Sequence, residues 1–195
     1  MRICVYGASS DAIDSAYLQA GEQLGEAMAK RGHGLVFGGG QKGMMGAVAR
    51  GMTRGNGEII GVAPRFFDVE GVLYPACTKF IFTDTMRERK AIMEDRADAF
   101  IMSPGGIGTF EEFFEILTLR QLGRHSKPIA VLNTNGYYEP LRQMLEHAIE
   151  QNFMTPACRS LCAFVESQEE LLDYLENDTG AAVDPGKLRD VLPRT

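Results

Sequence analysis

A chain of 195 residues, 45% of them apolar, has the length for one compact domain with one buried core and a single site. Its formal charge of -6, with no basic cluster, excludes long nucleic acid as a partner, because duplex binding needs many neutralised phosphates. No apolar run approaches the roughly 18 residues of a membrane span, so no membrane partner is expected.

The chain opens on Met1-Arg2-Ile3-Cys4-Val5-Tyr6-Gly7, already a strand, where a charged leader with a long apolar run would mark export. Further strands are predicted at Gly34 to Phe37, Glu58 to Ala63, Lys79 to Phe82, Asp98 to Met102 and Pro128 to Leu132, with a last short one at Leu161 to Val165. Helical spacing falls between them. Leu18, Ala20, Leu24, Ala27 and Met28 mark a helix from Ser15 to Lys30, closed by Arg31-Gly32. A short helix is expected after Met44, others over Thr85 to Arg96, from the Gly105 turn to Leu122, over Tyr137 to Gln151 and over Glu169 to Leu175. Repeated βα units of this kind call for a doubly wound, largely parallel sheet covered by helices on both faces. One domain over 1–176 is expected. The tail, 177–195, is punctuated by Asp178-Thr179-Gly180, Asp184-Pro185-Gly186 and Pro193 and reads as extended or partly disordered, without catalytic duty.

Cys4, Cys77, Cys158 and Cys162 have neither zinc-knuckle nor CxxC spacing, so a reducing cytoplasm is the expected setting. No metal cluster and no organic cofactor are expected. His33, His125 and His147 read as surface or structurally satisfied histidines, and Asp11 and Asp14 as caps near the first helix.

Three strand ends carry small-residue turns: Gly7-Ala8-Ser9-Ser10, Gly38 to Gly46, and Ser103-Pro104-Gly105-Gly106-Ile107-Gly108-Thr109-Phe110-Glu111-Glu112. In a doubly wound sheet such turns meet in one crevice. Neither of the first two is a clean dinucleotide fingerprint: the Gly7 turn lacks the GxGxxG spacing, and Gly38 to Lys42 lacks the Gly-Lys-Ser/Thr ending of a Walker loop. The third turn enters a helix with two adjacent carboxylates read into its first turn, where a phosphate and a sugar hydroxyl can be held side by side. Thr109 is a cap or a phosphate donor there, and with Glu112 it forms a candidate capping box. Lys42 reads equally as a phosphate contact or a solvated lysine; Met44 and Met45 read as core or as one face of a base pocket. Taken alone, Asp84 to Met93, which contains Arg89 and Lys90, reads as an exposed amphipathic helix.

The segment Pro104 to Glu112 matches the signature PGGxGTxxE, and Arg89-Lys90 matches an upstream Arg-Lys pair, in the order found in the LOG family of cytokinin-activating phosphoribohydrolases. The resemblance spans roughly the first 165 residues and extends to the Gly38 to Gly46 turn, to Gln121 through Pro128 and to Gly136-Tyr137-Tyr138. It implies a Rossmann-like homodimer that cuts the N-glycosidic bond of a nucleoside 5'-monophosphate such as AMP or isopentenyladenosine monophosphate, without a cofactor. Arg89 and Glu112 match positions tied to catalysis. Lys90, Gly105, Gly106, Ile107, Gly108, Thr109, Phe110, Glu111 and Thr118 match ligand-binding positions, and Glu70 is the nearest counterpart of a further binding glutamate. Breaking this bond develops positive charge on the sugar, which a carboxylate near the ribose stabilises. Placement at a helix start favours an ionised Glu112. Arg89 stays protonated and serves to hold charge, not to shuttle protons. Two other readings use the same residues: a non-catalytic nucleotide-binding or signalling module, and a lysine decarboxylase, for which no lysine has the context of a cofactor Schiff base.

Overall fold

The computed structural model describes residues 1–178 and 180, so most of the 177–195 tail lies outside the described residues. Seven strands, β1 (Arg2–Tyr6), β2 (Gly34–Phe37), β3 (Ile59–Pro64), β4 (Lys79–Thr83), β5 (Ala99–Met102), β6 (Ile129–Leu132) and β7 (Ala163–Val165), form one sheet in the order β4-β3-β2-β1-β5-β6-β7. Every neighbouring pair is parallel. Among the described residues six α-helices accompany it: α1 (Ser15–Lys30), α2 (Gly43–Arg54), α3 (Met86–Arg96), α4 (Ile107–Gln121), α5 (Glu139–Glu150) and α6 (Gln168–Asn177). This is the doubly wound arrangement, and the strand order reverses between β1 and β5.

Because side chains alternate along a strand, each central strand feeds two cores. Ile3, Val5, Ala99 and Ile101 pack with Leu24, Met28, Val48, Met52, Leu171 and Leu175 under α1, α2 and α6. Cys4, Tyr6, Phe100 and Met102 pack with Met93, Phe113, Ile116 and Ile149 under α3, α4 and α5. The four cysteines are free, and burial pushes the Cys162 thiol up to about 12. Among the described residues no helix is long and apolar enough to cross a membrane.

Local signals set the helix ends. Asp14 caps α1, accepting from Ala16 N at 2.8 Å, and Gly32 beyond its end adopts φ +74°. The capping box lies on α3, where Thr85 Oγ1 accepts from Glu88 N at 3.1 Å and Glu88 accepts from Thr85 N at 3.3 Å. The pair expected to form one on α4 does not. Gly106 is the N-cap of α4 and offers no side chain, Thr109 is already the third helical residue, and Glu111 and Glu112 stand in the second turn, not the first.

One other element departs from the sequence reading. The helix expected to be short and to follow Met44 starts at Gly43 and has 12 residues, because Asp11 Oδ1 accepts from Gly43 N at 2.7 Å and anchors its start. Between β3 and β4 there is no helix, only a three-residue 3-10 turn at Arg65–Phe67 and a loop. That loop folds back on the glycine turn after β2: Gln41 N donates to Val72 O at 3.0 Å and Tyr74 N to Gly39 O at 2.8 Å.

Helices α1 and α2 cross at backbone contact. A Cβ on Gly25 would collide with Val48 O and lie 2.7 Å from Met52 N. Gly25→Ala therefore costs about 1–3 kcal/mol through overpacking, read as a lower denaturant midpoint with an unchanged slope.

Candidate active site

The three small-residue turns meet at the carboxyl ends of the strands, beside the reversal in strand order. They line one cavity of about 600 Å³ with Gly7, Ala8, Ser9, Gly38, Gly40, Gln41, Lys42, Gly106, Gly108 and Thr109. Gly106 and Gly108 have open space where a Cβ would stand, so backbone is presented there directly. The loop between β3 and β4 and the start of α3 add an apolar side made of Phe67, Val72, Leu73 and Met86. Ile107, 85% exposed, stands at the start of α4 and also lines the cavity.

Arg89 and Glu112, 23 positions apart, meet in this cavity. They are 7% and 8% exposed, and Arg89 Nη1 donates to Glu112 Oε1 at 2.6 Å. Arg89 is thus not on an exposed amphipathic face. Its Nε donates to Val62 O at the end of β3 at 3.2 Å, and Gly38 leaves the space for Nη2, which any Cβ there would strike. Of the two Glu112 oxygens, Oε1 is the one bonded to Arg89. Burial pushes the Glu112 carboxyl above its ordinary value, while Arg89 pulls it back and Glu111 adds to the rise. The ion pair, not the helix start, is what favours the carboxylate.

The remaining predicted positions separate into two groups. Gly106, Ile107, Gly108 and Thr109 line the cavity with Arg89 and Glu112, and Gly105 adjoins them with its α side against Thr109. Lys90, Glu111 and Thr118 do not line it. Lys90 is ion-paired to Glu111 and, at 2.8 Å, to Glu115, while Glu111 and Thr118 are exposed on α4. Phe110 packs edge-on to Tyr138, with ring centres 6.3 Å apart. Glu70 is exposed on the β3–β4 loop beside Gly71, which does line the cavity. Of the alternatives left open, Met44 is fully buried in the core, Met45 lines the cavity, and Lys42 is exposed at its edge.

The histidines are placed structurally. His33 Nε2 meets Glu176 Oε1 at 2.8 Å, and His125 bonds Ile116 O at 2.9 Å, where burial lowers its pKa. His147 is exposed. Among the described residues no three His, Cys, Asp or Glu side chains gather as a metal site. Phe67 and Val72 escaped the sequence reading as site residues; the one signal was a cluster of apolar residues, Phe66, Phe67, Val69 and Val72, in a segment without periodicity.

A buried ion pair is most costly when half of it is removed. Glu112→Leu destabilises the fold by about 3–5 kcal/mol, and adding Arg89→Met recovers most of that loss, measured by urea unfolding of the two variants.

A family model described as "Possible lysine decarboxylase" matches residues 45–175. Among curated relatives, "Cytokinin riboside 5'-monophosphate phosphoribohydrolase LOG3" of Arabidopsis thaliana is 37% identical over 175 residues, covering 90% of this chain and 81% of its own length. "Probable cytokinin riboside 5'-monophosphate phosphoribohydrolase LOGL3" of Oryza sativa subsp. japonica is also 37% identical, with 90% and 83% covered. Among solved structures, the molybdenum cofactor carrier protein of Chlamydomonas reinhardtii superposes with a TM-score of 0.68 at 20% identity, over 90% of this chain and 95% of its own, a likeness of fold alone. With the family match running over more than half of the chain and these relatives covering nearly all of it, the chain belongs to this family, the one that contains the LOG phosphoribohydrolases.

Proposed function

We propose that this protein is a nucleoside 5'-monophosphate phosphoribohydrolase, hydrolysing the N-glycosidic bond of adenosine or N6-substituted adenosine 5'-monophosphates to free base and ribose 5-phosphate. The observation that carries this reading is the Arg89–Glu112 pair, buried yet lining the glycine-walled cavity. Family membership and the relatives' names support it.

In this reading the phosphate sits at the start of α4, where the first N–H groups of a helix lack carbonyl partners and Gly106 and Gly108 allow close approach. Glu112 Oε2 accepts from a ribose hydroxyl or from the attacking water. As the C1'–N bond breaks, the carboxylate stabilises positive charge on the sugar, water adds at C1', and one of its protons ends on the released base. Arg89 holds Glu112 ionised and in place, and its remaining N–H donors serve the ligand. The apolar side of Met45, Phe67, Val72 and Met86 supports a flat base with an apolar N6 substituent. No step calls for a metal or an organic cofactor.

A homodimer belongs to the same proposal. The apolar side of α4 is largely spent, since Phe113 and Leu117 are buried under the fold. What remains outward on α4 is Ile107, Glu111, Glu115, Thr118 and the neighbouring Lys90. The ligand-binding roles proposed for Lys90, Glu111 and Thr118 then require a second copy facing them, which light scattering over a dilution series tests. Cytoplasmic residence is part of the proposal and is supported by four free thiols.

Metal-free protein incubated with AMP and with isopentenyladenosine monophosphate releases free base, resolved from nucleotide by chromatography. Binding of either without release leaves a nucleotide-binding module instead. Arg89→Ala and Glu112→Ala, with folding verified by circular dichroism, slow single-turnover hydrolysis by about 100- to 1,000-fold, whereas Lys42→Ala has a far smaller effect.

The pH profile follows from the same pair. Since Glu112 acts ionised and burial raises its pKa, kcat/KM falls on the acid side with a midpoint above the ordinary 4.5. An acid limb at or below that value contradicts the role given to Glu112.

A further inference from the structure

Tyr137 and Tyr138 take no part in the chemistry above, yet both hydroxyls end on the turn that opens α4. Tyr138 donates to Ser103 O at 2.8 Å, and Tyr137 donates to Gly105 O at 2.8 Å. Between them, Pro104 O accepts from Ala8 N at 3.1 Å, so three successive carbonyls of the turn are each held. The two rings are themselves fixed. Tyr138 is buried and its N donates to Asn133 Oδ1 at 2.7 Å, while Tyr137 packs edge-on against Tyr17 and Tyr138, with ring centres 5.7 Å and 4.8 Å away. Left-handed Asn135 and Gly136, at φ 54° and 70°, turn the chain just before them.

A trans peptide keeps its C=O and the following N–H on opposite sides of one plane. Holding Gly105 O on the Tyr137 side therefore turns the Gly106 N–H to the other side, and Gly106 lines the cavity. Gly105 and Gly106 have little steric preference of their own to keep that plane from flipping. A second, independent feature marks the cavity as a ligand site: the buried Arg89–Glu112 ion pair lines it.

We infer that Tyr137 is a positioning residue, whose hydroxyl holds the Gly105–Gly106 peptide in the orientation that offers the Gly106 amide to a phosphate. This rests on the nucleotide reading of the cavity. Without the tether, a ligand has to select the competent orientation from a mixture, and affinity falls by the competent fraction. Tyr138 provides an internal control. The peptide it holds runs into Pro104, which has no N–H to offer, so its hydroxyl contributes to stability and not to anion binding.

Calorimetric titration of the full chain with AMP and with adenosine, for the unaltered protein, Tyr137→Phe and Tyr138→Phe, tests this. Tyr137→Phe is expected to weaken AMP about tenfold, leave adenosine unchanged and keep the melting temperature. Tyr138→Phe is expected to lower the melting temperature while holding AMP affinity within about twofold. AMP affinity unchanged in Tyr137→Phe, a loss shared by AMP and adenosine, an equal loss in both variants, or no AMP binding by the unaltered chain overturns the inference. If the AMP-selective loss in Tyr137→Phe stands while the unaltered protein releases no base, the hydrolase reading fails and the tether holds.

Discussion

Placing a guanidinium and a carboxylate together out of water is the constraint around which this site is arranged. Neither charge tolerates burial alone, so each needs the other at hydrogen-bond distance and further partners for what remains. Arg89 has both: the 2.6 Å bond to Glu112 and the carbonyl of Val62 at the end of β3. The arrangement also requires that Gly38 carry no side chain, since a methyl group there would occupy the position of Nη2. Residues from β3, the turn after β2, α3 and α4 are thereby locked to one another through a single pair of charges. Surface pairs such as Arg2–Glu58, with both side chains well exposed, impose no comparable demand.

Chain regions governed by local rules were legible in the sequence. The bounds of α1 follow from Asp14 before it and Arg31-Gly32 after it, and strands such as Arg2–Tyr6 and Gly34–Phe37 are short apolar runs between turns. Doubly wound packing then follows from βα alternation and the parallel pairing it forces. The convergence of the three glycine turns on one cavity was legible for the same reason, because strand ends in such a sheet share an edge.

What depends on three-dimensional placement was not. The sequence around Arg89 has the pattern of a solvated helix, and its burial is decided by Val62 and Glu112, elements far away along the chain. Of the two readings of Thr109, the cap fails because the helix begins earlier, at a glycine whose backbone alone makes the turn. Segment 65–78 has no period to read, since its shape comes from hydrogen bonds to Gly39 and Gln41. The signature motif brought Arg89 and Glu112 to notice, but the separation of Lys90, Glu111 and Thr118 from the cavity appears only once the chain is folded.

That same segment has a consequence for how specificity can diverge. It is fastened to the glycine turn by main-chain groups, Gln41 N to Val72 O and Tyr74 N to Gly39 O, while Phe67 and Val72 present their side chains to the cavity. Attachment and lining are therefore written in different parts of the same residues. Replacing an apolar side chain here alters the shape and polarity of the cavity without disturbing the main-chain bonds that hold the segment. The fold thus separates a wall whose side chains can change from one whose two charges hold each other in place.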